Sequence, residues 1–338
     1  MTTTAGWENY TLSTFNQTLL ANSTELCNLD ICPLELDGYV LAQIKYIPNL
    51  AGNVLYVAIF ALLLAAQLFL GIRYRTWGFL VGMFGGGILE VIGYVARIQM
   101  HYNPFPDGPF IMYLCCLTIG PAFFTASIYL CLSRIITVYT PKAARLKPQV
   151  YTYLFITFDF VALVLQAVGG AIASTADTHT TSQQGIHLMV AGVAWQVASL
   201  FIFSILCLDF FLRVRRISSD SYNPHFSHLR STKQHKYFIW ALTLATFFIL
   251  VRSIFRCAEL EEGFDGDLAN DEVTFMVLEG AMIILANSLL TVWHPGWVWG
   301  HGTWKGSSWG KGKKDMELQS HDMSSESGDL YNKREGSL

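Results

Sequence analysis

A chain of 338 residues with 52% hydrophobic and 14% charged residues and a mean hydropathy of +0.38 is too apolar for a water-soluble protein of that length. Its formal net charge of −3 offers no basic surface for nucleic acid. The apolar residues fall into seven long blocks, each near the roughly 20 residues that a helix needs to cross the hydrocarbon core of a bilayer.

Residues 1–46 are polar and are expected to form an extracellular tail. They hold three Asn-x-Thr sequons, at Asn9, Asn16 and Asn22, and no further Asn-x-Ser/Thr occurs downstream. Met1–Tyr10 lacks the basic and apolar regions of a cleavable signal peptide, so the first membrane helix is expected to translocate the tail. Cys27 and Cys32 lie in the same segment. A small disulfide loop and two separate thiols both fit, because four intervening residues do not fix the geometry.

The seven blocks run over Ile47–Gly71, Trp77–Ile98, Phe110–Val138, Tyr151–Ser174, Ile186–Leu212, Phe238–Cys257 and Val273–Trp297, and predict an all-α bundle over residues 47–297. Helix two begins with Gly78, Gly82 and Gly86, spaced so that a neighbouring backbone can approach, either within the bundle or from a second copy. Gly169, Gly170 and Ala173 allow the same in helix four. With the helices alternating in direction, the basic residues of the connections fall on one side. Arg73, Arg75, Lys142, Arg145, Lys147, Arg213, Arg215, Arg216, Arg230, Lys233, Lys236 and those of the tail from Lys305 to Arg334 share one side, against Lys45 on the other. The positive-inside rule makes that side cytoplasmic, with the N-terminus outside and the C-terminus inside.

Charge inside the membrane is costly, about 2.5–3.5 kcal/mol per residue at a helix centre on insertion scales, and needs a reason. Helix two carries Glu90 and Arg97, seven apart and on one face; helix six carries Arg252, Arg256 and Glu259; helix seven carries Glu279. With alternating helix directions all six fall in the outer half. Two readings stand: ion pairs that fix helix register, and a site for a polar or zwitterionic headgroup. Arg134 and Asp159 are expected as a second, structural pair toward the cytoplasmic side. Asn53, Gln67, Gln166, Gln196 and Asn287 are expected to hydrogen-bond between helices.

The connection 258–272 carries seven acidic residues and no basic one. It lacks EF-hand spacing and reads as a solvated acidic loop instead of a calcium site built on Asp265, Asp267 and Asp271. Residues 298–338 are Gly-, Ser- and Lys-rich and are expected to form a disordered cytoplasmic tail, with Trp293, Trp297, Trp299, Trp304 and Trp309 marking the membrane exit. This tail and the loop 213–237 are candidate contacts for cytoplasmic regulators.

Several function classes lack their residues. No converging intramembrane histidines or aspartates offer a metal site, and no nucleophile elbow, phosphate loop or dinucleotide fingerprint is present, so neither a cofactor nor enzymatic activity is expected. The last helix holds no lysine for retinal. Arg134 follows Ser133 instead of an acid, and helix seven has no Asn-Pro-x-x-Tyr, against a G-protein-coupled receptor.

The run EVIGYVAR from Glu90 to Arg97, the run GPAFFTASIY from Gly120 to Tyr129 with Arg134, Ile135 and Ile136, the run QAVGG from Gln166 to Gly170, the stretch from Arg252 through Arg256, Glu259 and Gly263 to Glu272, and the pair His294 and Pro295 resemble the fungal RTA1-like proteins, also called lipid-translocating exporters. The resemblance spans most of residues 40–297. Ser133 and Trp195 stand where Gly and Phe are common in that family. It implies a fungal plasma-membrane protein that exports or translocates sphingoid long-chain bases or related amphiphiles and contributes to lipid asymmetry and resistance to toxic amphiphiles. A seven-helix lipid sensor that regulates other transporters is the alternative.

Overall fold

The computed structural model describes residues 23–36, 39–140, 143–175, 179–217, 222–223, 226–262 and 266–306. Asn9, Asn16, Asn22, Asp265 and the tail 307–338 lie outside the described residues. Among the described residues, seven helices are long and apolar enough to cross a membrane. They are α1 (Leu50–Tyr74), α2 (Trp77–Tyr102), α3 (Asp107–Tyr139), α4 (Pro148–Ser174), α5 (His179–Arg216), α6 (Lys233–Glu262) and α7, which runs through Glu272–Phe275, a π-helical turn at Met276–Ala281, and Met282–Val292. A further helical segment, α8 (Pro295–Gly306), broken by a kink at Gly300, follows. Several helices outrun their apolar blocks at the ends. The sequence His179–Gly185 is polar yet helical, because a helix satisfies its own backbone inside or outside the bilayer.

The outer faces of the helices are apolar, and the intramembrane polar side chains turn inward into a largely apolar core. In α1, Leu62 and Phe69 are 72% and 68% exposed, while Asn53 and Gln67 are buried. Gln67 Nε2 donates to Thr291 Oγ1 of α7 at 2.8 Å, and Asn53 Nδ2 to the Asn49 carbonyl at 2.7 Å. Gln166 Nε2 donates to Gln196 Oε1 at 3.2 Å, tying α4 to α5.

Small residues allow close helix contacts within the bundle. A Cβ at Gly86 would stand 2.9 Å from the Gly120 carbonyl of α3. Between α4 and α5 the backbones themselves meet: a Cβ at Gly169 would stand 2.6 Å from the Met189 nitrogen, and one at Gly185 2.5 Å from the Ala173 nitrogen. Such approaches increase dispersion contact, the main attraction available between helices in lipid.

A small cap covers the N-terminal face of the bundle. Cys27 and Cys32 are joined in a disulfide and, with Leu36, Leu41, Ala42 and Phe105, form a separate buried cluster over the α2–α3 connection. A two-residue hairpin pairs Glu35–Leu36 (β1) with Tyr39–Val40 (β2), antiparallel. Gln43 Nε2 donates to Asp107 Oδ1 at 2.7 Å, fixing the cap to α3.

The opposite, arginine-rich face corrects one expectation. The segment from Val298 is not a tail from its first residue, since Pro295–Gly306 is helical and returns against the bundle. Trp299 and Trp304 are buried instead of lying at a membrane exit, and Trp299 Nε1 donates to His235 Nδ1 at 3.1 Å. Indole rings that find a partner inside need no interfacial water.

Candidate functional site

The six predicted intramembrane charges are all at most 5% exposed. Three are acids and three are bases, so the cluster is formally neutral. Two pairs form directly. Arg252 Nη2 donates to Glu279 Oε1, joining α6 to α7, and Arg256 Nη1 donates to Glu259 Oε2 at 2.5 Å one turn along α6. Arg256 Nε also stands 4.0 Å from Glu279 Oε1.

A proline supplies a further acceptor. Pro121 lies inside α3 and has no N–H to give to the carbonyl of residue 117, four positions back. The freed Leu117 carbonyl accepts from Arg252 Nη2 instead, so the break in α3 is filled by a cation from α6. Thr118 Oγ1, beside it, donates to the Leu114 carbonyl at 2.6 Å and accepts from Arg256 Nη2 at 3.2 Å.

Glu279 sits within the π-helical turn, a local widening of the backbone that often marks functional positions. The same turn exposes the Met276 carbonyl to Tyr56, whose hydroxyl donates to it at 2.8 Å. Gly280 leaves room there for Tyr56 and Tyr94, where a Cβ would stand 2.7 Å from Tyr56 Cδ2 and 2.5 Å from the Tyr94 hydroxyl.

The remaining two charges are not paired with the others. Arg97 has no carboxylate oxygen within 4.0 Å among the described residues. Its guanidinium lies 3.9 Å from the Phe275 ring centroid and 5.3 Å from that of Tyr113, and Nη2 donates to the Tyr46 hydroxyl at 2.7 Å. Ring faces and a phenol thus replace an anion around this cation. Tyr46 lies outside the spanning helices, and burial raises its hydroxyl above the ordinary value despite the nearby guanidinium.

Glu90 is the counterpart. It is buried against Gly120, where a Cβ would stand 2.9 Å from Glu90 Oε1, and that oxygen has no hydrogen-bond partner. Among the described residues no Lys, Arg or His nitrogen lies within 4.0 Å of its carboxylate. Glu90 and Arg97 are seven residues apart on α2, about 10 Å along its axis. The expected shared face is therefore present, but its two charges stand apart, Glu90 near Arg252 and Arg256 without a direct ion pair and Arg97 ringed by aromatics.

The expected pair of Arg134 and Asp159 does not form. Arg134 stacks over the Trp304 ring at 3.8 Å and donates from Nη1 to the Trp304 carbonyl of α8. Asp159 Oδ2 is 2.8 Å from Thr125 Oγ1 and accepts from the Tyr129 hydroxyl at 3.0 Å, both on α3. Thr125 and Tyr129 precede Arg134 by nine and five residues on α3, so Asp159 sits deeper in the bundle than Arg134 and out of its reach.

The acidic connection after α6 is used structurally where it is described. Asn270 Oδ1 accepts from the Lys45 backbone N–H at 3.0 Å, Glu272 Oε1 accepts from the Asn49 N–H at the start of α1, and Asp271 caps α7. Tyr46, Tyr56, Tyr94, Tyr113 and Phe275 escaped sequence reasoning. Of these only Tyr94 carried a signal, lying one turn after Glu90 on the charged face.

The family profile described as RTA1 like protein matches residues 83–301, a stretch that contains every charge of the cluster. The chain belongs to the RTA1-like family. It is 34% identical over 279 residues to a protein of Saccharomyces cerevisiae (strain Lalvin EC1118 / Prise de mousse) named sphingoid long-chain base transporter RSB1, covering 75% of this chain and 73% of that one. It is 27% identical to the protein RTA1 of Saccharomyces cerevisiae (strain ATCC 204508 / S288c), covering 77% and 86%, and 29% identical to the protein RTM1 of Saccharomyces cerevisiae, covering 62% and 65%. No solved structure matches. The family and the name of the first relative support membership in a lipid transporter or exporter family.

Proposed function

We propose that this RTA1-like protein moves amphipathic lipids of the sphingoid long-chain base class across the plasma membrane, with the headgroup amine received by Glu90. The observation that carries this reading is that Glu90 is a buried carboxylate in no ion pair within 4.0 Å among the described residues, with Arg252 and Arg256 near it but engaged with Glu279 and Glu259. Glu259 and Glu279 already have arginines. A long-chain base has the complementary form: one ammonium group on a hydrocarbon chain that can remain in lipid. The chain carries no nucleotide-hydrolysing motif and is read as having no enzymatic activity of its own.

The orientation belongs to the same proposal. The basic face would be cytoplasmic and the disulfide-closed cap extracellular, with glycans at Asn9, Asn16 and Asn22. The charged cluster would then lie toward the outer leaflet, where an exporter releases its cargo. Contributions to lipid asymmetry and to resistance against toxic amphiphiles would follow from that export.

The test is reconstitution in liposomes with a fluorescent long-chain base. Transbilayer movement above that of empty vesicles is expected, and Glu90→Gln should reduce it at least tenfold while leaving the unfolding temperature nearly unchanged. Movement no faster than in empty vesicles overturns the reading. A second reading, a lipid sensor acting on other transporters, draws on the docking of Arg134 onto Trp304, which links α3 to the segment leading into the C-terminal tail. It requires long-chain base binding without flux, and a partner on loop 213–237 or tail 298–338.

A further inference from the structure

Asp159 is the second buried carboxylate without a cation, and it lies apart from the charged cluster. It is 4% exposed, and its Oδ1 has no partner. It stands about 16 Å along α4 from Pro148, near the middle of a hydrocarbon core of about 30 Å. A fixed negative charge at that depth without a counter-ion is costly, whereas a carboxyl that can take up a proton is not.

The hydrogen bonds around it accommodate both forms. Thr125 Oγ1 is 2.9 Å from the Ala122 carbonyl and 2.8 Å from Asp159 Oδ2, but a hydroxyl has one hydrogen to donate. With Asp159 ionised, Thr125 and Tyr129 both donate to Oδ2. With Asp159 protonated, Oδ2–H donates to Thr125, and Thr125 donates to Ala122. The change needs only rotation of a hydroxyl. The groups facing this site are few. On α3 the titratable one is Tyr129, itself packed against Phe155 of α4 and Phe203 of α5 at 5.5 and 4.5 Å. On α5, Cys207 faces Tyr129. Arg134, further along α3, is turned to Trp304.

The two unpaired carboxylates grip one helix on either side of its break. Glu90 packs on α3 at Gly120, Asp159 holds it at Thr125 and Tyr129, and Pro121 lies between. A proline-interrupted helix can bend at that point, since one backbone hydrogen bond is already missing. We propose that Asp159 is a proton-binding site that couples lipid movement to a transmembrane proton gradient, one proton entering against one ammonium leaving, with α3 linking the two sites. This rests on the transport reading above.

The experiment uses the purified full chain in liposomes with a fluorescent long-chain base, read two ways: exchange at equal pH on both sides, and net movement under an imposed pH gradient. The unmodified protein should show both, with the gradient accelerating net movement several-fold beyond empty vesicles. Asp159→Asn should keep exchange within about twofold and lose the response to the gradient. Tyr129→Phe removes a donor to the ionised form and should move the midpoint of the gradient response, measured across a series of pH values, upward by about one unit. It serves as the second variant where Asp159→Asn does not fold. Exchange in the unmodified protein that ignores the gradient, an Asp159→Asn protein that responds normally, or an unmoved midpoint in Tyr129→Phe overturns the inference and leaves transport standing. Absence of exchange in the unmodified protein overturns the transport reading, and the inference with it.

Discussion

Among the described residues, the bundle buries six acidic and basic side chains between α2, α3, α6 and α7, whereas the seam of α3, α4 and α5 buries one, Asp159. The first region balances three acids with three bases and ties its helices together through guanidinium forks to carboxylates, a hydroxyl and a freed carbonyl. The second relies on close backbone approach at Gly169, Gly185 and Gly192, with apolar and aromatic side chains around its single carboxylate. The contrast separates two ways of holding helices together in lipid. Charge pairing resists separation but is intolerant of losing one partner, while glycine packing tolerates no added bulk yet leaves a lone acid free to change its proton count.

The largest expected effect breaks the first region at its pair across α6 and α7. Arg252→Met or Glu279→Met alone leaves a buried charge without its partner and should destabilise the protein by about 3–5 kcal/mol, read as thermal unfolding in detergent. The double variant removes both charges and should regain most of that loss. It also sharpens the comparison. A stable double variant that still moves lipid assigns the pair to bracing, whereas a stable one that moves none assigns it to the binding site.

The second region should break on volume instead of charge. A Cβ at Gly185 would stand 2.5 Å from the Ala173 nitrogen and 2.7 Å from the Gly169 carbonyl, backbone atoms that cannot swing aside. Gly185→Leu is therefore expected to push α4 from α5 and cost about 1–3 kcal/mol by the same unfolding measurement. Gly108→Leu, where a Cβ meets nothing within 4 Å, is the matched control and should change stability little. Equal losses in the two variants would refute the close-packing account.

Sequence periodicity carried the two regions unequally. Seven crossings were legible because about 20 apolar residues in a row have few alternatives, and the shared faces of Glu90 with Arg97 and of Arg252 with Arg256 follow from helical spacing alone. Pairing across helices is another matter. Arg134 and Asp159 were matched on depth, yet Asp159 lies deeper, level with Thr125 and Tyr129, while Arg134 lies about one to two and a half turns further along α3 and meets Trp304. The Leu117 carbonyl was available from Pro121 by counting four residues back, so that part of the site was readable. The π-helical turn at Met276–Ala281 was not, since inserting one residue into a turn leaves the apolar content unchanged. Helix α8 was hidden for a similar reason: Gly- and Trp-rich sequence reads as a tail unless the bundle end that buries Trp299 and Trp304 is known.

The smallest expected effect lies at the start of α7, at the edge of the charge-holding region. Asp271 accepts from the Val273 N–H at 3.1 Å and from the Thr274 hydroxyl, capping the helix. The Thr274 hydrogen bond, followed by those from the backbone, holds its carboxyl below the usual aspartate value. A depressed folded value means that its contribution to stability is fully present above the unfolded value of about 3.9 and is lost as pH falls through the lowered one. Asp271→Asn keeps an oxygen acceptor for the cap but cannot titrate. Unfolding temperatures in detergent should therefore differ slightly between the two proteins from neutral pH down to about 4, and converge below it. A gap that stays constant to pH 3 would mean that the cap works as a neutral acceptor alone. In that case the ionic region would begin with the buried groups, Arg97 and the cluster behind it, and would owe nothing to the exposed acids at its edge.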